Sequence, residues 1–168
     1  MNSIKATDLF SINVYSQNDF PLNIKFNEKA NHGYDLSGRG VFQLFFDQQI
    51  IYIGLADKEP AIQRFEKQLT SITLRGTSVS FNPDCENEIK SNSVLKEEFK
   101  IAITQNKGGN LTSVNRILFA AKNWSIFQNL DDTILERFVF VWFSIEDNNN
   151  LKSICQEWKT NLKPICNG

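Results

Sequence analysis

Three side chains of this sequence, Tyr52, Arg64 and Glu157, are of types that can cooperate in chemistry on a phosphate. A carboxylate can hold a hard divalent cation while water and a phosphate complete the shell. The cation then stabilises charge on the scissile phosphate and on the leaving oxygen. A guanidinium is always charged, and its fork of donors matches a phosphate and the charge that develops on it. A phenol acts as general base where nearby cations lower its pKa from about 10. Together these types allow metal-assisted phosphodiester hydrolysis. Singly, each has a plainer role. Tyr52 packs at the end of a strand, Arg64 is a solvated helix residue, and Glu157 is exposed on a helix flank.

The elements that must position these side chains begin with Gly38–Gly54. Two apolar runs, Val41–Phe46 and Ile50–Gly54, flank the polar turn Asp47-Gln48-Gln49, the pattern of a β-hairpin. Each run is continuous rather than alternating, so both faces of the hairpin are expected to be covered. Ala56-Asp57-Lys58-Glu59-Pro60 reads as a helix start. Ile62, Phe65, Leu69 and Ile72 then recur at helical spacing, with Arg64 and Gln68 one turn apart on the flank, and Arg75-Gly76 ends the helix. Residues 76–111 read as an inserted subdomain with acids in excess. A helix follows, capped by Thr112 or Ser113, with Val114, Ile117, Leu118 and Ala121 on its apolar face. Trp124–Asp132 reads as a connection, and Arg137–Ile145 as the strongest strand signal in the chain. In the closing helix Leu151, Ile154, Cys155, Trp158 and Leu162 share a face, with Glu157 at its edge and Pro164 as its end. Within the first 37 residues, Leu9–Tyr15 and Phe20–Phe26 are candidate strands, and Ala30–Gly40, which holds His32, is a loop.

The chain of 168 residues suffices for one domain with a real core, and its 14 phenylalanines make an aromatic core the expectation. A formal net charge of −1 means that a nucleic-acid ligand must meet a local basic face. Three cysteines, Cys85, Cys155 and Cys166, with no CxxC pair, argue against a disulfide framework or a zinc cluster and favour a reducing compartment. The start shows no basic segment followed by an apolar one, and no apolar run approaches the ~20 residues of a membrane span. A soluble, cytoplasmic protein is expected.

The order of hairpin, helix with arginine, insertion, strand and helix with glutamate resembles the GIY-YIG nuclease superfamily. Gly40-Val41-Phe42 looks like a variant of its first motif, and Tyr52-Ile53-Gly54 matches its second. Arg64 stands where the family has a helical arginine. The run from Leu151 to Asn167 is similar to the family's closing helix, which carries a metal-binding glutamate and ends in a Lys-Pro-x-x-Asn-like segment. The run Asn115-Arg-Ile-Leu-Phe-Ala-Ala resembles a helix that many members place before the third strand. The likeness covers roughly Gly38–Arg75 and Thr112–Asn167.

The resemblance implies an α/β (α+β) fold: a single domain over residues 1–168 with a small, mostly antiparallel, three-stranded central sheet flanked by helices. Residues 1–37 would be an N-terminal extension and residues 76–111 an insertion. It implies a Mg²⁺-dependent (or Mn²⁺-dependent) DNA endonuclease of restriction type. Tyr52, Arg64 and Glu157 would be catalytic, with Glu157 as the metal ligand. Phe42, Lys58, Gln68 and Asn167 would support them. Lys58, Lys67, Arg75 and Asn115 would contact double-stranded DNA, with no membrane partner and a homodimer left open. Two departures concern proton transfer. Phe42 replaces a tyrosine, and Gln68 stands where members carry His or Tyr, although an amide cannot take a proton from water at neutral pH. They warrant the alternative of a catalytically impaired module that binds nucleic acid or a protein partner. A third alternative is a structural domain whose motif match is accidental.

Overall fold

The computed structural model describes residues 2–13, 23–27, 33–73, 114–127, 132–146 and 150–167. The expectations for His32, Arg75, Cys85 and the insertion 76–111 fall outside these residues. Strands β4 (Gly40–Phe46) and β5 (Gln49–Ala56) form the expected hairpin. Its loop is Asp47-Gln48 alone, because Gln49 already pairs with Phe46. Both loop residues have positive φ, 48° and 67°, as a type I′ turn requires for its twist to match that of the strands. An ion pair between Asp47 and Arg137, with Arg137 Nε donating at 2.7 Å, ties the hairpin tip to the start of β6 (Phe138–Ser144).

The central sheet has four strands, not three. Strand β6 pairs antiparallel with β4, and β1 (Asn2–Lys5) pairs antiparallel with β6, giving the order β1-β6-β4-β5. Asn2–Lys5 contains one apolar residue, Ile4, which is fully buried. Such a short, polar run has almost no strand signal of its own; the open edge of the aromatic strand β6 supplies the partner. Strands β2 (Phe10–Asn13) and β3 (Asn23–Phe26) make a separate two-stranded antiparallel sheet inside the runs expected to be extended.

Among the described residues the α-helices are α1 (Ala61–Ile72), α2 (Val114–Lys122), the short α3 (Trp124–Phe127) and α4 (Leu151–Leu162). Helix α3 lies where a plain connection was expected. It holds the fully buried Phe127 against Phe46 and Phe138, with ring centroids 5.6 and 5.9 Å away. Among the described residues no helix is long and apolar enough to cross a membrane.

A one-residue slip sets which face of the sheet each motif side chain occupies. Leu44 pairs with Tyr52 but Phe45 pairs with Ile50, so Ile51 is the extra residue of a β-bulge. Beyond it β5 alternates. Tyr52 and Ala56 join the large aromatic core with Phe42, Phe65, Phe119 and Phe140. Ile53 and Leu55 join Val41 beneath Leu151 and Cys155 of α4. Helices α1 and α2 therefore lie over one face and α4 over the other. Phe65 stacks on Phe140 at 4.2 Å, and Phe42 meets Phe65 edge-on at 4.9 Å. The two motif glycines have packing reasons. A Cβ on Gly54 would lie 2.6 Å from Phe42 Cζ, and one on Gly40 would lie 2.1 Å from the carbonyl oxygen of Phe143.

Candidate functional site

At the C-terminal end of β5 the chain runs through Asp57-Lys58-Glu59-Pro60 into α1. Arg64, in the first turns of α1, and Lys152, in the first turn of α4, reach this segment. With Leu55, Asp57, Lys58 and Glu59 they line a cavity of about 330 Å³. Both carboxylates are already engaged. Asp57 pairs with Arg39 at 3.2 Å, while Glu59 pairs with Lys67 at 2.7 Å and, more loosely, with Arg64 at 3.8 Å. The hydrogen bond from Lys67 holds the Glu59 carboxyl below the usual glutamate range, against the opposing effect of desolvation. Arg39 and Lys67 thus offset the two acids, and Lys58 and Lys152 make no ion pair among the described residues.

Lys152 stands at the positive end of α4, where a cation costs about 0.3–1 kcal/mol at an exposed site. Neither α1 nor α4 carries a side-chain cap at its N-terminus. The Arg64 Nε is buried and has no hydrogen-bond partner. Two helix N-termini and three cationic side chains surround one concavity that also holds Asp57 and Glu59, whose charges Arg39 and Lys67 offset from outside the lining, and this leaves a setting that favours an anion with several acceptor oxygens.

Tyr52 lies away from this cavity, inside the core on the α1 and α2 side, with 8% of its surface exposed. Its ring is covered by Arg116 of α2, whose guanidinium carbon is 4.7 Å from the ring centroid. Arg116 donates to Ser71 Oγ at 2.7 Å, to Gln68 Oε1 at 2.9 Å and to the Cys166 carbonyl at 3.3 Å. Gln68, expected as a supporting residue, buries its amide and accepts from Arg116. Phe42 is fully buried among Tyr52, Phe65 and Phe140.

Glu157 is exposed on α4 and lines neither this cavity nor a second one at the other end of the helix. The buried side of α4 is set by Leu151 and Cys155. At 3.6 residues per turn, Glu157 is rotated by about 140° from Lys152, whereas Lys159 is within about 20° of it. The flank turned toward the cavities therefore carries Lys152, Gln156, Lys159 and Lys163, and Glu157 falls on the other side. The cavity that takes in Arg64 is thus lined by neither Tyr52 nor Glu157. Mg²⁺ is bound through one or two carboxylates together with substrate phosphates. Among the described residues no group of three or more His, Cys, Asp or Glu side chains is placed to hold a metal ion.

Asn167, expected as a supporting residue, clamps the middle of the Tyr52-Ile53-Gly54 triplet. Its Nδ2 donates to the Ile53 carbonyl at 2.8 Å, and its Oδ1 accepts from the Ile53 N–H at 2.6 Å. Strand β5 is an edge strand, and these two bonds occupy its open side. Lys67 is paired with Glu59, and Asn115 is exposed on α2. Burial pushes the Cys155 thiol up and the Cys166 thiol up to about 12, leaving both as protonated core residues.

Sequence reasoning missed Lys152 and Arg116. For Lys152 a signal existed, since Lys152, Lys159 and Lys163 repeat at one helical phase. For Arg116 none did, because its partners lie on α1 and in the C-terminal turn. Comparison with protein-family models, with curated proteins and with solved structures gave no match.

Proposed function

We propose that this domain is a GIY-YIG-like module that binds the phosphate backbone of double-stranded DNA, without cleaving it, at the cavity lined by Lys58, Arg64 and Lys152. The observation that carries this reading is the convergence of those three cations on one concave surface whose two carboxylates are engaged chiefly by Arg39 and Lys67, with Arg64 only loosely paired to Glu59 at 3.8 Å. In a chain of net charge −1 such a local excess is what nucleic-acid backbone recognition needs. The likeness to the nuclease superfamily gains support from Asn167, which bonds the closing segment to the second motif at Ile53. Hydrolysis loses support from the position of Glu157 on the opposite flank of α4 and from the burial of Phe42 and Gln68 in structural roles.

The test is fluorescence anisotropy on a duplex of about 20 base pairs over a salt series. Arg64→Ala and Lys152→Ala are each expected to lower the salt slope by about one unit and to weaken binding whatever the sequence. Glu157→Ala should bind as the parent does, and Mg²⁺ should yield no cut product. Absence of duplex binding at low salt, or full affinity in Arg64→Ala, overturns the proposal. Mg²⁺-dependent cleavage lost in Glu157→Ala would restore the nuclease reading instead.

A further inference from the structure

The lysine flank of α4 continues past the first cavity to a second one of about 400 Å³, lined by Gln156, Lys159, Thr160, Lys163, Pro164 and Asn167. We infer that this second cavity is another backbone-phosphate subsite, and that the Lys152–Lys163 flank of α4 is a track for one DNA strand. The inference rests on the reading of the first cavity as a phosphate site. Five of the six lining residues are polar or charged, none of the six is acidic, and Lys163 makes no ion pair among the described residues. Eleven residues of helix span about 16 Å. Phosphates on one strand of a duplex advance about 3.4 Å each along the axis. Because the strand also winds around that axis, the two cavities fit phosphates roughly two to three steps apart.

The backbone at Lys163 points the same way. Lys163 is left-handed, with φ 45° and ψ 56°, and its N–H donates to the Lys159 carbonyl at 3.0 Å to close the helix. Glycine is the default at such a helix end because a Cβ is strained there. The following Pro164 narrows the choice further. Attraction of a cation to the negative end of a helix accounts for Lys159 in the last turn. It does not account for a long cationic side chain on a backbone that prefers none. A phosphate to be held at that place does.

The variant Lys163→Gly separates the two explanations, because glycine relieves the backbone while removing the charge. Lys163→Gly should melt at or above the parent temperature. It should also bind a duplex of about 20 base pairs roughly 3- to 10-fold more weakly near 0.1 M salt, with the salt slope reduced by about one unit. Lys163→Arg should bind as the parent does, and Lys163→Gln should lose affinity as the glycine variant does. Parent-like affinity and slope in Lys163→Gly and Lys163→Gln overturn the second subsite, and if Lys152→Ala still weakens binding, the first cavity stands. No binding by the parent protein would instead remove the first reading, and this one with it.

Discussion

Removing the amide of Asn167 should unclamp β5. Its two hydrogen bonds to Ile53, at 2.6 and 2.8 Å, are partly buried and are made to an edge strand whose open side they fill. A net contribution of about 1 kcal/mol for each gives about 2 kcal/mol lost in Asn167→Ala. The loss is not cancelled by simple rehydration. Neighbouring Cys166 is 1% exposed and its carbonyl is held by Arg116, so the segment stays docked over Ile53 and hinders water. Urea denaturation followed by tryptophan fluorescence reads the change as a shift in midpoint at constant slope.

Asn167→Asp sharpens the test. The protonated acid can donate to the Ile53 carbonyl as the amide does, whereas the carboxylate sets an acceptor against an acceptor. Folding therefore raises this aspartate's pKa above its ordinary value of about 3.9. For a raised pKa the contribution is fully present below the unfolded value and is lost as pH rises through the folded value. Relative to the parent at the same pH, Asn167→Asp should be near neutral at about pH 3 and at least as damaging as Asn167→Ala at pH 7. A cost for Asn167→Ala under about 0.5 kcal/mol, or no pH dependence in the Asn167→Asp difference, would refute the clamp.

Phe42→Tyr, which restores the hydroxyl of the resembled motif, should destabilise by about 1–3 kcal/mol in thermal melts. The ring is fully buried among aromatic carbons and its Cζ lies against Gly54. The variant should confer no Mg²⁺-dependent cleavage. Lys67→Ala should raise the Glu59 pKa toward the ordinary glutamate value in a carboxyl-detected NMR titration, because the Lys67 hydrogen bond is the largest cause of its depression. Cys166, with its pKa pushed up to about 12 and 1% of its surface exposed, should resist alkylation at pH 8 until denaturant is added, as site-resolved mass spectrometry would show.

The hairpin, α1, β6 and α4 were legible because each carries its own apolar signal, an unbroken run in the strands and a helical period in α1 and α4. Strand β1 was not, since its pairing depends on the open edge of β6 and on the single buried residue Ile4. The bulge at Ile51 was equally hidden. A slip of one residue decides the face to which Tyr52 points, and nothing in an apolar run marks where the slip falls. Lys58 and Arg64 were legible as cations at a helix start, and they do share a cavity. Glu157 illustrates the opposite case. Neighbouring positions on a helix differ by about 100°, so Gln156 and Glu157 lie on different flanks although they are adjacent in sequence. Which flank meets the cavity is set by how α4 docks, a tertiary fact.

That docking also bears on whether Glu157 could swing into place when a metal and a substrate arrive. The phase of α4 is held by Leu151 and Cys155, 3% and 2% exposed, with Ile154 and Trp158 packed beside them on Val41 and Ile53. Trp158 also meets Phe143 edge-on at 4.7 Å. Turning the helix far enough to bring Glu157 to Arg64 would expose these side chains. At about 1.5–3 kcal/mol for each large apolar residue, the rotation costs on the order of 5 kcal/mol. A cation could drive it only by binding the rotated state more tightly by at least that amount. Helix α4 is therefore held at this phase on the sheet, and the proposed phosphate sites draw on the lysines already on that flank.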